Sequence, residues 1–225
     1  MKNHAGMEKN IGIEVGEEKR ATAARSMIYQ VFSTIFSYPS EPQTAENIIN
    51  GSMQDSLMEL ALDLPYASPF QDSGYGIECP GISREDLEIT YSALFDSCGG
   101  RPSVSMQEMH YSNKAREELW EDILRFYLHF GLDFKNGRIK EMPDHLVIEL
   151  EFMHYLSFLE SGTPPDDLSF RRAETDFLER HLGRWVSGFH TKLAAARDSL
   201  PYKNAARMLV DFIKADMDYH VSLIN

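Results

Sequence analysis

The chain has 225 residues, of which 43% are hydrophobic and 25% are charged. This is the composition of an ordinary soluble globular protein. Aspartate and glutamate number 35 against 22 lysines and arginines, which gives a formal net charge of -13. Nucleic acids and anionic membrane surfaces are polyanions, so this charge argues against non-specific binding to either one and leaves a basic partner open.

Targeting and covalent features also narrow the class of protein. No run of about 18 apolar residues exists, so no membrane-inserted helix is expected. The first 20 residues are charged and contain no apolar signal core. The two cysteines, Cys79 and Cys98, have neither zinc-ligand spacing nor the density of a disulfide scaffold. We therefore expect a cytoplasmic protein.

The N-terminal part is predicted to be a tail followed by a helix. Residues 1–20 are expected to be flexible, because glycines interrupt a stretch with few large apolar residues. From Ala21, apolar residues recur at spacings of three and four, which indicates a buried helix face. Tyr38-Pro39 ends this helix, because the residue before a proline is disfavoured in helical conformation.

The next part of the chain alternates helices with a long loop. A helical stretch is predicted from about Thr44 to Leu64, with a break near Gly51-Ser52. Residues 65–82 are rich in glycine and proline, so they form a long loop or hinge. Ser83 is a candidate N-cap for a helix that carries Leu87, Tyr91, Leu94 and Phe95.

The remaining chain is predicted to be helical with short connections, including a turn at Asn136-Gly137. The expected helices run over about Met106–Phe130, Pro143–Glu160, Asp166–Arg197 with a bend near Gly183 or Gly188, and from Pro201 to the C-terminus. No alternating strand pattern of useful length occurs. We therefore predict an all-α, single-domain bundle of roughly seven to nine helices over residues 21–225.

Catalytic signatures are missing from the sequence. It contains no GxSxG, P-loop, GxGxxG or HExxH pattern. The eight histidines are scattered, and none pairs with a cysteine at metal-ligand spacing. These patterns therefore predict no catalytic residues, no bound metal and no cofactor.

The most informative segment is Glu141-Met142-Pro143-Asp144-His145, which opens a helix. On a helical wheel, His145 and Glu149 both lie within the apolar arc, and their four-residue spacing allows contact. A buried acid must be paired, hydrogen-bonded or neutral. The two side chains could therefore satisfy each other in the core, border a binding cleft, or, with His154, hold a metal.

The stretch from Glu141 to Leu168 contains seven acids and neither lysine nor arginine. Such a run is either a solvated acidic face or a surface that attracts a basic peptide.

Three motifs in order along the chain resemble the TorD-like family of redox-enzyme maturation chaperones, which includes the DmsD- and NarJ-type proteins. The first motif is the E-x-x-D-H cluster of residues 141–145. The second is Tyr91-Ser92-Ala93-Leu94-Phe95, followed by the loop Gly99-Gly100-Arg101-Pro102 and by residues 106–111. The third is Phe36-Ser37-Tyr38-Pro39. The chain departs from many relatives at Ser105-Met106-Gln107-Glu108, where they have proline and an aromatic residue.

The resemblance implies a protein that is not an enzyme. It implies a cytoplasmic chaperone that binds the apo catalytic subunit of a molybdoenzyme of the dimethyl sulfoxide reductase family. It also implies binding of the twin-arginine leader peptide and help with insertion of the molybdopterin guanine dinucleotide cofactor. The Gly-Gly-Arg-Pro loop is similar to the branch that serves the type II enzymes of that family. Alternative functions are a helical metal-binding protein and an adaptor whose acidic face binds some other basic protein. The protein could be a monomer or a homodimer.

The resemblance also implies site residues. Glu141 and Asp144 would face the two arginines, and His145 would order the cluster. The apolar part of the leader would contact Tyr91, Leu94 and Phe95. The full expected client-binding set is Glu141, Pro143, Asp144, His145, Glu149, Tyr91, Leu94, Phe95 and Tyr111.

Overall fold

The computed structural model describes residues 4–70, 76–96, 102–134, 141–164 and 167–224, with side chains described from residue 16 to residue 223. The loop expected at residues 99–101 and the turn expected at Asn136-Gly137 lie outside the described residues.

Within this part of the chain the backbone forms nine α-helices and no sheet, which confirms the all-α class. Two short 3-10 helices, at residues 61–63 and 108–110, accompany them. The α-helices are α1 (His4–Phe36), α2 (Pro42–Ile49), α3 (Ser52–Leu60), α4 (Arg84–Phe95), α5 (Arg116–His129), α6 (Leu146–Ser161), α7 (Ser169–Arg180), α8 (Leu182–Ala195) and α9 (Tyr202–Ile224).

Helix α1 ends at Phe36 as predicted, but it begins at His4. Residues 4–20 therefore have helical backbone, where the sequence predicts a flexible tail. Part of this segment also contacts the bundle, because Glu18 accepts a 2.7 Å hydrogen bond from Arg171 of α7. The glycines that suggested flexibility lower helix propensity without preventing helical backbone.

Local signals at α2, α3 and α4 agree with the sequence prediction. Gly51 separates α2 from α3 and has a φ of 86°, a left-handed conformation that glycine adopts without a steric penalty. Ser83 caps α4, and its hydroxyl and backbone exchange hydrogen bonds with Asp86 in a capping box.

The prediction of one helix over Met106–Phe130 was wrong for its first ten residues, since α5 begins at Arg116. Instead, the chain preceding α5 pairs with the chain preceding α6 through an antiparallel bridge between Gln107 and His145. Glu108 N–H donates to Asp144 O over 2.9 Å, and Leu146 N–H donates to Met106 O over 2.8 Å. These tertiary hydrogen bonds replace the local helical ones.

Helix α6 begins at Leu146, three residues later than expected. His145 is its N-cap, because the ring Nδ1 accepts a 3.3 Å hydrogen bond from the Val147 N–H. Pro143 precedes the helix and its carbonyl accepts a 2.8 Å hydrogen bond from the Tyr127 hydroxyl.

The bend predicted near Gly183 or Gly188 is a break at His181, two residues before Gly183. The His181 backbone has φ −129° and ψ −104°, which interrupts the helical hydrogen bonds between α7 and α8. Its side chain is fully buried, with Nδ1 3.0 Å from Glu108 Oε2 and Nε2 3.3 Å from Asp122 Oδ2. A tertiary polar contact therefore fixes the break.

Helix α1 lies along α6, and α7, α8 and α9 complete the bundle around them. The buried apolar side chains form one cluster that includes aromatic contacts such as Phe152–Phe177, with ring centroids 4.8 Å apart. Such a contiguous cluster is the usual arrangement for a single core.

A buried ionic network crosses this core at Arg25 of α1. Its guanidinium donates to Asp216 Oδ1 of α9 over 2.5 Å, to Glu160 Oε2 of α6 over 3.1 Å, and to Glu174 of α7. Burial alone would raise the pKa of Asp216, but the Arg25 charge and hydrogen bonds from His220 and Arg25 hold it far below its usual value. The network joins four helices through one cation.

Replacing Arg25 with methionine should lower the free energy of unfolding by about 3–5 kcal/mol, because buried carboxylates lose their counter-charge. Urea unfolding followed by circular dichroism measures this loss. Arg20→Met is the control, because the Arg20–Asp63 pair is 3.9 Å long and exposed, and should change stability by less than about 1 kcal/mol. Equal effects of the two substitutions would contradict the proposed role of Arg25.

Candidate functional site

A cleft of about 490 Å³ opens where three segments meet. They are the end of α1 with Tyr38, the end of α4 with the chain that follows it, and the start of α6. Of the predicted site residues, Tyr91, Phe95, Glu141 and His145 line it. The motifs that carried the resemblance thus meet at one surface, which we call the acidic cleft.

Hydrogen bonds to backbone carbonyls hold the walls of the acidic cleft together. The Tyr91 hydroxyl donates to Phe36 O over 3.0 Å, which ties α4 to the end of α1. Val104 N–H donates to Leu94 O over 2.9 Å, so the chain after α4 folds back along it. The bridge between residues 106–108 and 144–146 then places this chain beside the start of α6.

Two exposed carboxylates, Asp96 and Glu141, give the cleft its negative charge. Burial raises the pKa of the Tyr91 hydroxyl, and the charges of Asp96 and Glu141 raise it further. The described residues that line the cleft include neither lysine nor arginine. The cleft is therefore suited to a cationic ligand group.

Aromatic rings form the other chemical component of the cleft. Tyr38 and Tyr91 meet edge to face with centroids 5.4 Å apart, and Phe95 lies 5.0 Å from Tyr91. Tyr38 is 46% exposed, so part of its ring is available to a ligand. A guanidinium can stack on such a ring while a carboxylate accepts its N–H groups.

His145 connects the cleft to α6. Burial lowers the pKa of its ring, against the opposing effects of Glu141 and Asp144. In the neutral form, Nδ1 accepts from Val147 and the proton therefore resides on Nε2, which lies 3.8 Å from Glu141 Oε2. The ring thus caps the helix beside Glu141, and its role in ordering the cluster stays a prediction.

Asp144 does not face the cleft. Its side chain is fully buried, with Oδ1 accepting from the Trp120 indole over 2.9 Å and Oδ2 accepting from the Met109 N–H over 3.1 Å. Both oxygens already have donors, so the expectation that Asp144 contacts an arginine is not supported by this geometry. It braces the chain before α5 against the start of α6.

Glu149 and His145 do not form the pair that their spacing suggested. Glu149 is fully buried and its Oε2 accepts a 3.0 Å hydrogen bond from the Trp185 indole of α8. Burial raises the pKa of this carboxyl well above its usual value, and the negative charge of Glu108 adds to the effect while the Trp185 hydrogen bond opposes it. Its surroundings favour the protonated acid.

Three other predicted residues lie outside the cleft. Leu94 borders a separate cavity of about 660 Å³ beside α8, and Pro143 is buried. Tyr111 stacks on Trp185 with centroids 5.3 Å apart, and its hydroxyl donates to Ser105 O over 2.6 Å. Tyr111 therefore supports the wall of the cleft through Ser105, which lines it.

Sequence reasoning missed Tyr38 and Asp96 as site residues. The sequence assigns Tyr38 to a helix stop and to the third motif but not to the site, although a large aromatic residue just beyond a helix is a candidate for exposure. Asp96 directly follows the Leu94-Phe95 motif. Its position next to a motif residue was the only available signal.

The acids of residues 141–168 do not form one solvated face. Asp144, Glu149 and Glu160 are buried, and Glu160 is paired with Arg25 and Arg171. Glu141 and Glu151 are exposed. The run is therefore divided between structural and surface carboxylates.

The described residues also bear on the metal-binding alternative and on membrane insertion. Among the described side chains, no three histidines, cysteines or acids converge in a manner that could hold a metal ion. Within the same part of the chain, no helix has both the length and the apolar character needed to cross a membrane.

Comparison with known proteins places the chain in a family. Residues 64–191 match the family described as nitrate reductase delta subunit, which is more than half of the chain. The chain belongs to this family. The resemblance to the TorD-like maturation chaperones is also confirmed, because TorD chaperones of Vibrio species are among its relatives.

Several curated relatives are assembly chaperones. The chain is 37% identical over 124 residues to the selenate reductase assembly chaperone of Thauera selenatis, covering 53% of this chain and 64% of that protein. Identity is 36%, with the same coverages, to the chlorate reductase assembly chaperone of Ideonella dechloratans. Identity to the dimethyl sulfide dehydrogenase assembly chaperone of Rhodovulum sulfidophilum is 32% over 176 residues. This match covers 72% of this chain and 66% of that protein. The chain spans just under two thirds of the length of these relatives.

Asp144→Asn should destabilise the fold by about 1–3 kcal/mol, because both partners of the carboxylate are N–H donors and an amide can accept from only one of them. Urea unfolding measures the change, with Asp96→Asn as the exposed control. A variant as stable as the wild type would contradict the bracing role.

The raised pKa of Glu149 predicts a pH dependence of stability. The folded state keeps a proton that the unfolded state loses, so this residue makes stability fall as pH rises from the ordinary glutamate range toward the folded pKa. Glu149→Gln keeps the acceptor for Trp185 and removes the titration. The variant should therefore gain stability relative to the wild type between about pH 5 and about pH 8. Urea unfolding at both pH values measures the difference in stability between the variant and the wild type. A difference that is the same at both pH values would contradict the prediction.

Proposed function

We propose that the chain is a system-specific chaperone for a molybdoenzyme of the dimethyl sulfoxide reductase family. In this proposal it binds the apo catalytic subunit in the cytoplasm and assists cofactor insertion before export. The names of its relatives support this function, since those proteins are assembly chaperones for selenate reductase, chlorate reductase and dimethyl sulfide dehydrogenase.

The acidic cleft is the proposed binding site for the twin-arginine leader of the client. The observation that carries this proposal is the joint position of two exposed carboxylates, Asp96 and Glu141, beside the exposed ring of Tyr38. An arginine side chain offers several N–H donors and a flat face, which match carboxylate oxygens and an aromatic ring respectively.

The contacts that an arginine would make in the cleft are individually modest in energy. A hydrogen bond to a charged group contributes about 1.5–3 kcal/mol, and a cation–π contact at an exposed site adds about 0.5–1 kcal/mol. Two such arginine contacts, reduced by the entropy lost on ordering the peptide, suit a chaperone that must later release its client.

A binding role also fits how the reactive groups of the cleft are used. The Tyr91 hydroxyl donates to a backbone carbonyl, and the His145 Nδ1 accepts from the backbone of α6. Both groups are used in hydrogen bonds within the protein, whereas the carboxylates of Asp96 and Glu141 are exposed at the surface. We therefore assign no catalytic residue to the cleft.

The test is direct binding of a fluorescently labelled synthetic peptide that contains two consecutive arginines followed by an apolar stretch, measured by anisotropy. The variant carrying both Asp96→Asn and Glu141→Gln should bind at least about tenfold more weakly. The control carries Glu59→Gln and Glu117→Gln, which remove the same charge from exposed positions outside the cleft.

Two outcomes would contradict the proposal. The first is the absence of binding by the wild-type protein. The second is an equal loss of affinity in the cleft variant and the control, which would indicate attraction by net charge alone. If a basic peptide of the same charge without paired arginines bound equally well, a general adaptor for basic segments would be the better description.

A further inference from the structure

The acidic cleft is the first of three cavities that adjoin one another. A second cavity, of about 500 Å³, lies between α1, the start of α2 and α6, and we call it the α1–α6 cavity. It shares Ser37 and Tyr38 with the acidic cleft. A third cavity, of about 250 Å³, shares Glu151 with the α1–α6 cavity. The shared residues place the three cavities in a row, with the α1–α6 cavity in the middle.

The α1–α6 cavity has polar walls. Hydroxyl and amide side chains of α1, among them Thr34 and Gln30, form one wall. Besides Tyr38, its ionisable groups are Glu41, Glu151 and His154. It therefore also contains two carboxylates and, in its described lining, neither lysine nor arginine. The His154 ring lies 2.9 Å from the Ser26 hydroxyl, which holds it against α1.

Glu151 occupies the boundary between the second and third cavities. It is exposed at the surface of α6. Desolvation by the surrounding walls nevertheless raises the pKa of its carboxyl, and the nearby His154 opposes this shift. A cation placed beside Glu151 would therefore be stabilised by a carboxylate that water solvates incompletely.

The third cavity is lined mainly by apolar and aromatic side chains, and we call it the aromatic cavity. Tyr127 and Phe134 stack with their centroids 5.8 Å apart, and Ile148, Phe152 and Tyr155 of α6 complete the wall. Its chemistry differs from that of both neighbours and suits an apolar side chain.

We propose that the three cavities form one groove that binds a single extended client segment in a fixed direction. The first arginine occupies the acidic cleft against Glu141, the second occupies the α1–α6 cavity against Glu151, and a following apolar side chain enters the aromatic cavity. This inference rests on the proposed function and adds the direction of the bound segment and a role for Glu151.

Two observations support this arrangement. The order of the cavities, acidic, acidic and then apolar, matches the chemical order of a twin-arginine leader. Tyr38 stands between the first two cavities, and successive side chains of an extended segment point to opposite sides. Two adjacent arginines can therefore pass on either side of one exposed ring.

Double-mutant cycles test the assignment with four labelled peptides: the twin-arginine peptide, versions with the first or the second arginine changed to glutamine, and one with the apolar residue changed to serine. Glu151→Gln should weaken binding of the twin-arginine peptide by about tenfold. It should leave the affinity of the peptide that lacks the second arginine unchanged. Glu141→Gln should show the same coupling to the first arginine.

The aromatic cavity is tested in the same way with Ile148→Ala, which should weaken binding of the twin-arginine peptide and leave the serine peptide unaffected. Glu59→Gln is the control for charge, and thermal unfolding confirms that each variant is folded. Because Glu151 is exposed, its substitution leaves the core intact.

The outcomes separate this inference from the proposed function. If the wild-type protein binds no peptide, the proposed function itself fails. If Asp96→Asn with Glu141→Gln weakens binding while Glu151→Gln does not, the acidic cleft binds the leader and the extended groove is wrong. Coupling of Glu151 to the first arginine, instead of the second, would overturn the proposed direction.

Discussion

The pairing of residues 106–108 with residues 144–146 is the constraint on which the candidate site depends. Two backbone hydrogen bonds join these segments, and the buried carboxylate of Asp144 reinforces them by accepting from Met109 N–H and from the Trp120 indole. Without this brace the chain before α5 would have no fixed position beside α6. The walls of the acidic cleft, which come from both segments, would then separate.

Burial divides the carboxylates of this acidic chain into groups with different roles. Asp144 and Asp216 are fully buried and meet N–H donors or a guanidinium, so each supports the packing of distant segments. Glu149 is also fully buried but faces other acids, and its environment favours the proton. Glu141 and Glu151 lie at the surface of the groove and are available for a partner. Net charge therefore says little about function until the exposed carboxylates are known.

Much of the fold could be predicted because its signals are local. Apolar spacing, the Ser83 capping box and the glycine at position 51 define helix faces and ends within a few residues of chain. The wrong predictions fall where distant groups compete with those signals. The chain after Met106 has helical periodicity, yet its backbone pairs with the segment before α6. His181 breaks a helix because its ring is held between Glu108 and Asp122.

The same distinction between local signals and contacts of distant groups applies to the candidate site. The sequence by itself determined the all-α class and the resemblance that singled out Tyr91, Phe95, Glu141 and His145, because residue types and spacings are properties of the chain. It did not distinguish Glu141, which is exposed, from Asp144, which is buried among N–H donors. Nor did it show that Tyr38 and Glu151 link three cavities. Only the tertiary structure decided these points, because exposure and adjacency depend on which distant helices cover each side chain.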